Sequence, residues 1–270
     1  YPSATIICAG TGSGKTLAFF LPALSTLSSD IINNSEHRVR ILAIYPRNEL
    51  LKDQFHEAWE QARKLDSTLV SAGARKISMG AVFRPTPHSA PFALEKGQEY
   101  RTYTQLKCSD RSCRGQMRWS RTDIAAKKER LKCHICDHTV EHDEVRLTRD
   151  SMASDPPDIL FTTIESLNQR MTDTKHRKLF GIGTDRNLPL VLLDEVHTYT
   201  GSQGAQTALL IRRWLKLSTK RPHFVGLSAT LRDASNFFGT LTGTNLGRVV
   251  QIEPNPEEME EESAEYLLAL

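Results

Sequence analysis

Short apolar, β-branched runs alternate along this 270-residue chain with longer segments of helical spacing, the pattern of a mostly parallel sheet covered by helices. Thr5–Cys8 predicts a first strand, followed by a glycine-rich loop and a helix from Lys15 to Leu27. Val39–Tyr45 predicts a second strand. Leu50, Leu51, Phe55, Ala58 and Trp59 then recur at helical spacing between Glu49 and Leu65. Asp158–Thr162, Leu190–Leu193 and Phe224–Leu227 read as further buried strands, with a helix over Ala205–Leu217. Cys8, Trp59, Trp214 and the Phe237-Phe238 pair fall at core positions of this pattern.

Between Gly80 and Asp150 the alternation lapses. Pro85, Pro87 and Pro91 interrupt regular structure, and a basic, Cys/His-rich segment follows; Pro156-Pro157 mark the return to the sheet. The expected organisation is an α/β body from residues 1–80 and 151–252, an inserted module at 81–150 and an acidic linker at 253–270.

Composition narrows the class. Hydrophobic residues make up 39% and charged residues 25% of the chain, which excludes wholesale disorder. No apolar run is long enough to span a bilayer, and no basic segment precedes an apolar one as in a secretion signal. A cytoplasmic setting without membrane contact is expected. The start at Tyr1 reads as a piece of a longer protein. The net charge of +3 is unevenly spread: ten Lys/Arg face three Asp/Glu between Arg101 and Lys132, whereas Glu253–Glu265 holds seven Glu and no base.

Two stretches carry phosphate chemistry. Ala9-Gly10-Thr11-Gly12-Ser13-Gly14-Lys15-Thr16 lies between the first strand and the first helix, the context a phosphate-binding loop requires. Its glycines let backbone N–H groups turn onto phosphate oxygens, and the helix start adds a positive dipole end. Lys15 would reach the β- and γ-phosphates and the Thr16 hydroxyl would hold Mg²⁺. Ala9 stands where the strict pattern has glycine. Asp194-Glu195-Val196-His197 follows the buried run Leu190–Leu193, so its carboxylates emerge where open α/β sheets bind ligands. Asp194 suits Mg²⁺, and Glu195 suits orientation and deprotonation of an attacking water.

A third stretch points to metal. Cys108-x4-Cys113 and Cys133-x2-Cys136 are two thiol pairs 19 residues apart, a set that can close a tetrahedral Zn²⁺ site. Arg101, Lys107, Arg111, Arg114, Arg118, Trp119, Arg121 and Lys132 flank it, and could grip a nucleic-acid backbone or stack on a base. A purely structural zinc site, a site without metal, an iron–sulfur cluster, and replacement of one thiol by His134, His138 or His142 are the competing readings.

The phosphate loop, Asp194-Glu195-Val196-His197 and Ser228-Ala229-Thr230, in this order, resemble motifs I, II and III of the superfamily 2 DEAD/DEAH-like helicases. Tyr45–Leu50 resembles motif Ia, and Asp158–Thr163 with Glu165 and Leu167 resembles the Thr-rich segment that meets the nucleic-acid backbone. The resemblance implies the first RecA-like domain of such a motor; the cysteine segment, which it does not cover, is expected to be a zinc-ribbon-like insertion. It also implies coupling roles for His197, Ser228 and Thr230, and contacts to one strand from Arg47, Asn48, Thr162 and Thr163. The run from Asp194 to Gly201, then Gly204-Ala205-Gln206 and Arg212-Arg213, is similar to bacterial DNA helicases of repair and of phage-defence or DNA-modification systems. That favours DNA over RNA as partner. Nothing after Thr230 resembles the second RecA-like domain, which is expected elsewhere in the parent chain. A zinc-stabilised DNA-binding module with a regulatory or inactive nucleotide site, and an RNA helicase, are the rival functions.

Overall fold

The computed structural model describes residues 3–10, 15–110, 112–113, 115–185, 188–229 and 231–254. In chain order its strands begin with β1 (Ala4–Cys8), β2 (Ile41–Tyr45), β3 (Met79–Val82), β4 (Tyr100–Lys107), β5 (Gln116–Ser120) and β6 (Leu131–Cys133). They continue with β7 (Thr139–Val140), β8 (Val145–Arg146), β9 (Ile159–Thr163), β10 (Leu190–Leu193), β11 (His223–Ser228) and β12 (Val249–Ile252). The α-helices are α1 (Lys15–Asn33), α2 (Asn48–Arg63), α3 (Asp66–Ser71), α4 (Arg121–Ala125), α5 (Arg149–Ser154), α6 (Ile164–Arg170), α7 (Gly201–Leu217) and α8 (Ala234–Thr242).

Eight strands form one sheet in the order β12-β1-β11-β10-β2-β9-β3-β8, and every pairing in it is parallel. Both faces are covered, which is why β2, β9 and β10 are continuous apolar runs rather than alternating ones. Ile41, Ala43 and Tyr45 pack on one side with Phe19, Phe20 and Phe55. Leu42 and Ile44 pack on the other with Ile211, Trp214 and Phe238. Trp59 and Trp214 are core residues, as is Cys8; the Trp214 ring N–H donates to the Phe180 carbonyl at 2.8 Å. This is the RecA-like helicase fold, as the sequence predicted.

The remaining strands make a four-stranded antiparallel sheet, β4-β5-β6-β7; Cys133 ends β6, while Cys108 and Cys113 lie between β4 and β5 and Cys136 between β6 and β7. This sheet shares its core with the large one. Tyr103 of β4 meets Phe55 of α2 edge-on, with ring centroids 6.2 Å apart, and Met117, Trp119, Leu131 and Val140 belong to the same contiguous cluster.

One buried charge cluster ties the start of β9 to β2 and β3. Asp158 is fully buried and accepts from Arg40 Nη1 at 2.8 Å and from Arg75 Nη1 at 2.6 Å. It also accepts from the Ser78 backbone N–H at 2.9 Å and the Ser78 hydroxyl at 3.0 Å. Removing one member of such a set leaves its partners as uncompensated buried charges. Asp158→Ala is therefore expected to lower stability by about 3–5 kcal/mol, measured as a shift of the urea midpoint; a change within experimental error would show that the arginines re-pair elsewhere.

Candidate nucleotide and metal sites

Strand register gathers the first site. Cys8 lies beside Ser228, Leu193 beside Gly226 and Ile44, and Ile44 beside Thr162. The residues just past each strand therefore emerge along one carboxyl edge, the usual ligand-binding edge of an open parallel sheet. Ala9 donates its N–H to the Ser228 carbonyl at 3.2 Å, joining the start of the phosphate loop to the end of β11. Gly10 has open space where a side chain would be, and Thr16 is half-buried in the first turn of α1. Thr11, Gly12, Ser13, Gly14, the Lys15 side chain and Thr230 lie outside the described residues.

Asp194 is buried at the end of β10, its N–H donating to Ile44 carbonyl at 3.1 Å. One of its carboxylate oxygens accepts the Glu195 N–H at 2.8 Å. Glu195 sits in the left-handed region at φ 49°, an uncommon conformation for a residue with a long side chain and one that concentrates at functional sites. The Thr198 backbone N–H at 2.8 Å and its hydroxyl at 2.7 Å both donate to the Glu195 carbonyl and hold that turn. Gly226 allows the turn to sit close to β11: a methyl group there would lie 2.7 Å from the Phe238 ring and 3.0 Å from Val196.

His197 connects this turn to β11. Its Nδ1 is 3.3 Å from a Glu195 carboxylate oxygen, 3.4 Å from the Ala229 N–H and 3.5 Å from the Ser228 hydroxyl. An unprotonated Nδ1 accepts from Ala229, whereas a protonated one pairs with Glu195; it serves one partner at a time. The sequence placed Tyr45 and Tyr199 inside the matched motifs but gave neither phenol a role beside Asp194. Burial, then the Asp194 charge, pushes Tyr45 and Tyr199 well above the ordinary phenol range. Both hydroxyls are buried and have no hydrogen-bond partner among the described residues. A tyrosine closing an otherwise aliphatic strand, as Tyr45 does, was the available signal.

The expected strand-contact residues lie at the neighbouring ends of β2 and β9, where Tyr45 pairs with Thr163, but their side chains are differently engaged. Arg47 is exposed at the N-cap of α2 with Asn48 beside it. Thr163 caps α6, accepting the Ser166 N–H at 3.3 Å. Thr162 corrects the expectation: it is fully buried and its hydroxyl donates to the Val82 carbonyl at 2.7 Å, so it ties two strands together instead of facing a phosphate.

The four thiols converge. Cys108 Sγ is 3.4 Å from Cys136 Sγ, Cys113 Sγ is 3.6 Å from Cys133 Sγ, and all four lie within 4.8 Å of one another. Sulfurs on a tetrahedral zinc with Zn–S near about 2.3 Å are separated by about 3.8 Å, whereas a disulfide needs about 2.05 Å. The spacing suits a single ion in a zinc-ribbon-like insertion and is too tight for a multi-iron cluster. The Ile135 N–H points at Cys133 Sγ at 3.5 Å. Burial pushes the Cys133 thiol up, but backbone N–H groups of Cys136 and Ile135 outweigh it and bring the thiol down to about 7. A side chain at Gly115 would meet Cys133 Sγ at 2.2 Å. The histidine alternatives fall away: His134 Nδ1 accepts from Gln116 N–H at 2.8 Å, His138 bonds the Ser109 hydroxyl at 2.9 Å, and His142 pairs with Glu129 and Asp155.

The basic flank is largely spent inside the module. Trp119 is fully buried, its ring N–H donating to the Lys128 carbonyl at 2.8 Å, so it offers no face to a base. Arg118 stacks over the Tyr100 ring at 4.0 Å, Arg101 donates to the Ala93 carbonyl at 2.9 Å and Arg121 to the Gln98 carbonyl at 2.7 Å. Arg111 and Arg114 lie outside the described residues.

Comparison with known proteins agrees with this geometry. The DEAD/DEAH box helicase family model matches residues 2–82 and 120–237. Druantia protein DruE of Escherichia coli (strain UMEA 4076-1) is 24% identical over 289 residues, covering 88% of this chain and 16% of DruE. Lhr helicase/uracil glycosylase of Escherichia coli (strain K12) is 40% identical over 96 residues, 35% of this chain and 6% of Lhr. The solved structure of Mycobacterium smegmatis helicase Lhr bound to ssDNA and AMP-PNP superposes with a TM-score of 0.53 at 22% identity, over 94% of this chain and 24% of that one. The chain thus spans a small part of the length of these relatives. Among the described residues no helix is long and apolar enough to cross a membrane.

Proposed function

This chain belongs to the DEAD/DEAH box helicase family, and from that premise we propose that it is the ATP- and Mg²⁺-dependent first motor domain of a nucleic-acid helicase or translocase, acting on DNA in preference to RNA. The observation that carries this reading is the single sheet edge on which the phosphate-loop strand, Asp194, Glu195 and Ser228 end side by side. The motor body expected at residues 1–80 and 151–252 also takes in both ends of 81–150, because β3 runs to Val82 and β8 (Val145–Arg146) joins the same sheet; the rest of 81–150 is the inserted module, and 253–270 the acidic linker to a second RecA-like domain elsewhere in the parent chain.

The donor chemistry fits the nucleotide. The loop that follows Ala9 would cradle the phosphates through its backbone N–H groups, and Lys15 would neutralise the terminal ones. Thr16 and Asp194 hold the cation, a hydroxyl and a carboxylate being suitable oxygen donors. Mg²⁺, held there, would supply neutralisation of the phosphate charge. Glu195 orients the attacking water and accepts its proton. His197 then carries the state of Glu195 to Ser228 and Ala229, because its Nδ1 changes partner on protonation, and Thr230 completes that coupling segment. Arg47, Asn48 and Thr163 fix the register of one strand through its backbone without reading bases. Cys108, Cys113, Cys133 and Cys136 hold Zn²⁺, whose binding free energy becomes folding free energy of the insertion.

The solved Lhr complex with ssDNA and the similarity to DruE and Lhr support DNA, in the setting of a bacterial repair or phage-defence helicase. Competition between matched DNA and RNA strands tests the polymer: DNA is expected to displace RNA, with affinity falling steeply as salt rises. RNA binding as tightly as DNA would overturn the preference, and salt-insensitive binding would overturn the backbone-contact mode.

A further inference from the structure

A second cluster of ligand-type side chains lies away from both sites above. His88 is in the loop that follows β3, Asp150 is in the first turn of α5, and His176 follows α6. Their donor atoms all lie within 4.8 Å of one another. His88 Nδ1 is 3.4 Å from one Asp150 carboxylate oxygen and His176 Nε2 is 3.4 Å from the other. The two imidazole rings are 5.7 Å apart and nearly perpendicular. Backbone bonds fix this meeting: Arg149 and Asp150 donate their N–H groups to the Pro87 and His88 carbonyls, each at 3.0 Å.

The buried histidine has the wiring of a metal ligand. His176 is 2% exposed, and its Nδ1 lies 2.7 Å from an Asp173 carboxylate oxygen. With the proton on Nδ1 and donated to Asp173, Nε2 keeps its lone pair. That nitrogen is buried, has no hydrogen-bond partner among the described residues and faces a carboxylate oxygen, so a cation between them relieves the repulsion. A carboxylate holding the far nitrogen of a ligating imidazole is the usual outer support of such sites. Lys175 Nζ, 2.8 Å from Asp150 on a half-exposed side chain, offsets part of the Asp150 charge and can swing into solvent.

We propose that His88, Asp150 and His176 form a second metal site, distinct from the cysteine cluster, for a late first-row divalent ion such as Zn²⁺, with Asp173 as a positioning residue. Two imidazoles and one carboxylate are a borderline donor set that suits Zn²⁺ and leaves a further position open. The half-exposed His88 ring gives the ion its entry path. The bound ion staples the loop after β3 to α5 and to the segment after α6, three pieces of chain that backbone pairing alone joins only in part.

The test is metal stoichiometry of the purified protein by mass spectrometry after loading with Zn²⁺, alongside a Co²⁺ titration. Cobalt on the four thiolates gives a sulfur-to-metal charge-transfer band; a second equivalent that adds only weak visible bands reports nitrogen and oxygen ligands. His88→Ala and Asp150→Asn are expected to lose the second equivalent and keep the thiolate band. Asp173→Asn is expected to weaken it by about 10–100-fold. If His176→Ala fails to fold, His88→Ala decides, since that ring is half in solvent. A wild-type protein that takes up one equivalent only, including one in which a proton alone sits at His176, overturns the proposal. A second equivalent unchanged in His88→Ala and Asp150→Asn also overturns it.

Discussion

Replacing Glu195 by Gln will slow ATP turnover by about 10²–10⁴-fold, some 3–5 kcal/mol of barrier at roughly 1.4 kcal/mol per tenfold, in the protein that carries the second RecA-like domain. Glutamine keeps the shape and hydrogen-bonding reach of the side chain but cannot take a proton from water. The turn that presents it is held through its backbone, by Thr198 on the Glu195 carbonyl and by Asp194 on its N–H, so the substitution leaves the site's frame in place. Nucleotide affinity is expected to stay within a few fold, because Lys15, Thr16 and Asp194 are untouched. Steady-state hydrolysis measured beside equilibrium binding of a non-hydrolysable ATP analogue separates the two. Turnover close to wild type would remove Glu195 from the chemistry and move the search for a base elsewhere on the same edge.

Removal of the zinc proposed for the cysteine cluster, by chelation or by Cys133→Ser, is expected to unfold the four-stranded sheet. Structural zinc in small modules contributes apparent binding free energies of about 10–16 kcal/mol, as large as the whole stability of a typical domain at about 5–15 kcal/mol. Cys133 is the most sensitive position. It is almost fully buried, accepts the Ile135 N–H and would be crowded by any side chain at Gly115. Hydrogen exchange over residues 100–140 checks this: protection is expected to vanish on chelation and return with Zn²⁺. Protection that survives chelation would mean that Met117, Trp119, Leu131 and Val140 suffice as a core. Exposure of Trp119, one of three tryptophans in the chain, provides a fluorescence readout of the same event.

Most of the large sheet was legible because its central strands are buried on both faces and therefore stand out as apolar runs. Leu190–Leu193 ends at Asp194 and Thr5–Cys8 ends at the glycine loop, so the sequence also showed which ends would carry chemistry. β3 escaped notice: Met-Gly-Ala-Val lacks β-branched weight, and its Gly80 reflects a neighbour the sequence does not reveal, since a methyl group there would lie 2.6 Å from Met152 sulfur. The two-residue strand β8 carries no periodicity at all. Thr162 matched a motif that faces nucleic acid, yet strand pairing claimed its hydroxyl. Trp119 appeared among bases in the sequence and is buried by the sheet they decorate. The thiol pairs were legible by their spacing, whereas His88, Asp150 and His176 come from three separated segments and share no spacing that could announce them.

The edge-on contact between Phe55 and Tyr103, inside one continuous core, has a practical meaning for anyone trimming this protein. Cutting out the cysteine-bearing segment would peel the cover from α2 and leave a greasy flank in water, inviting clumping. The helix so bared begins at Asn48, next to Arg47. A shortened variant that lost its grip on nucleic acid would then reveal a collapsed neighbour and say nothing about whether the excised piece touches the polymer itself.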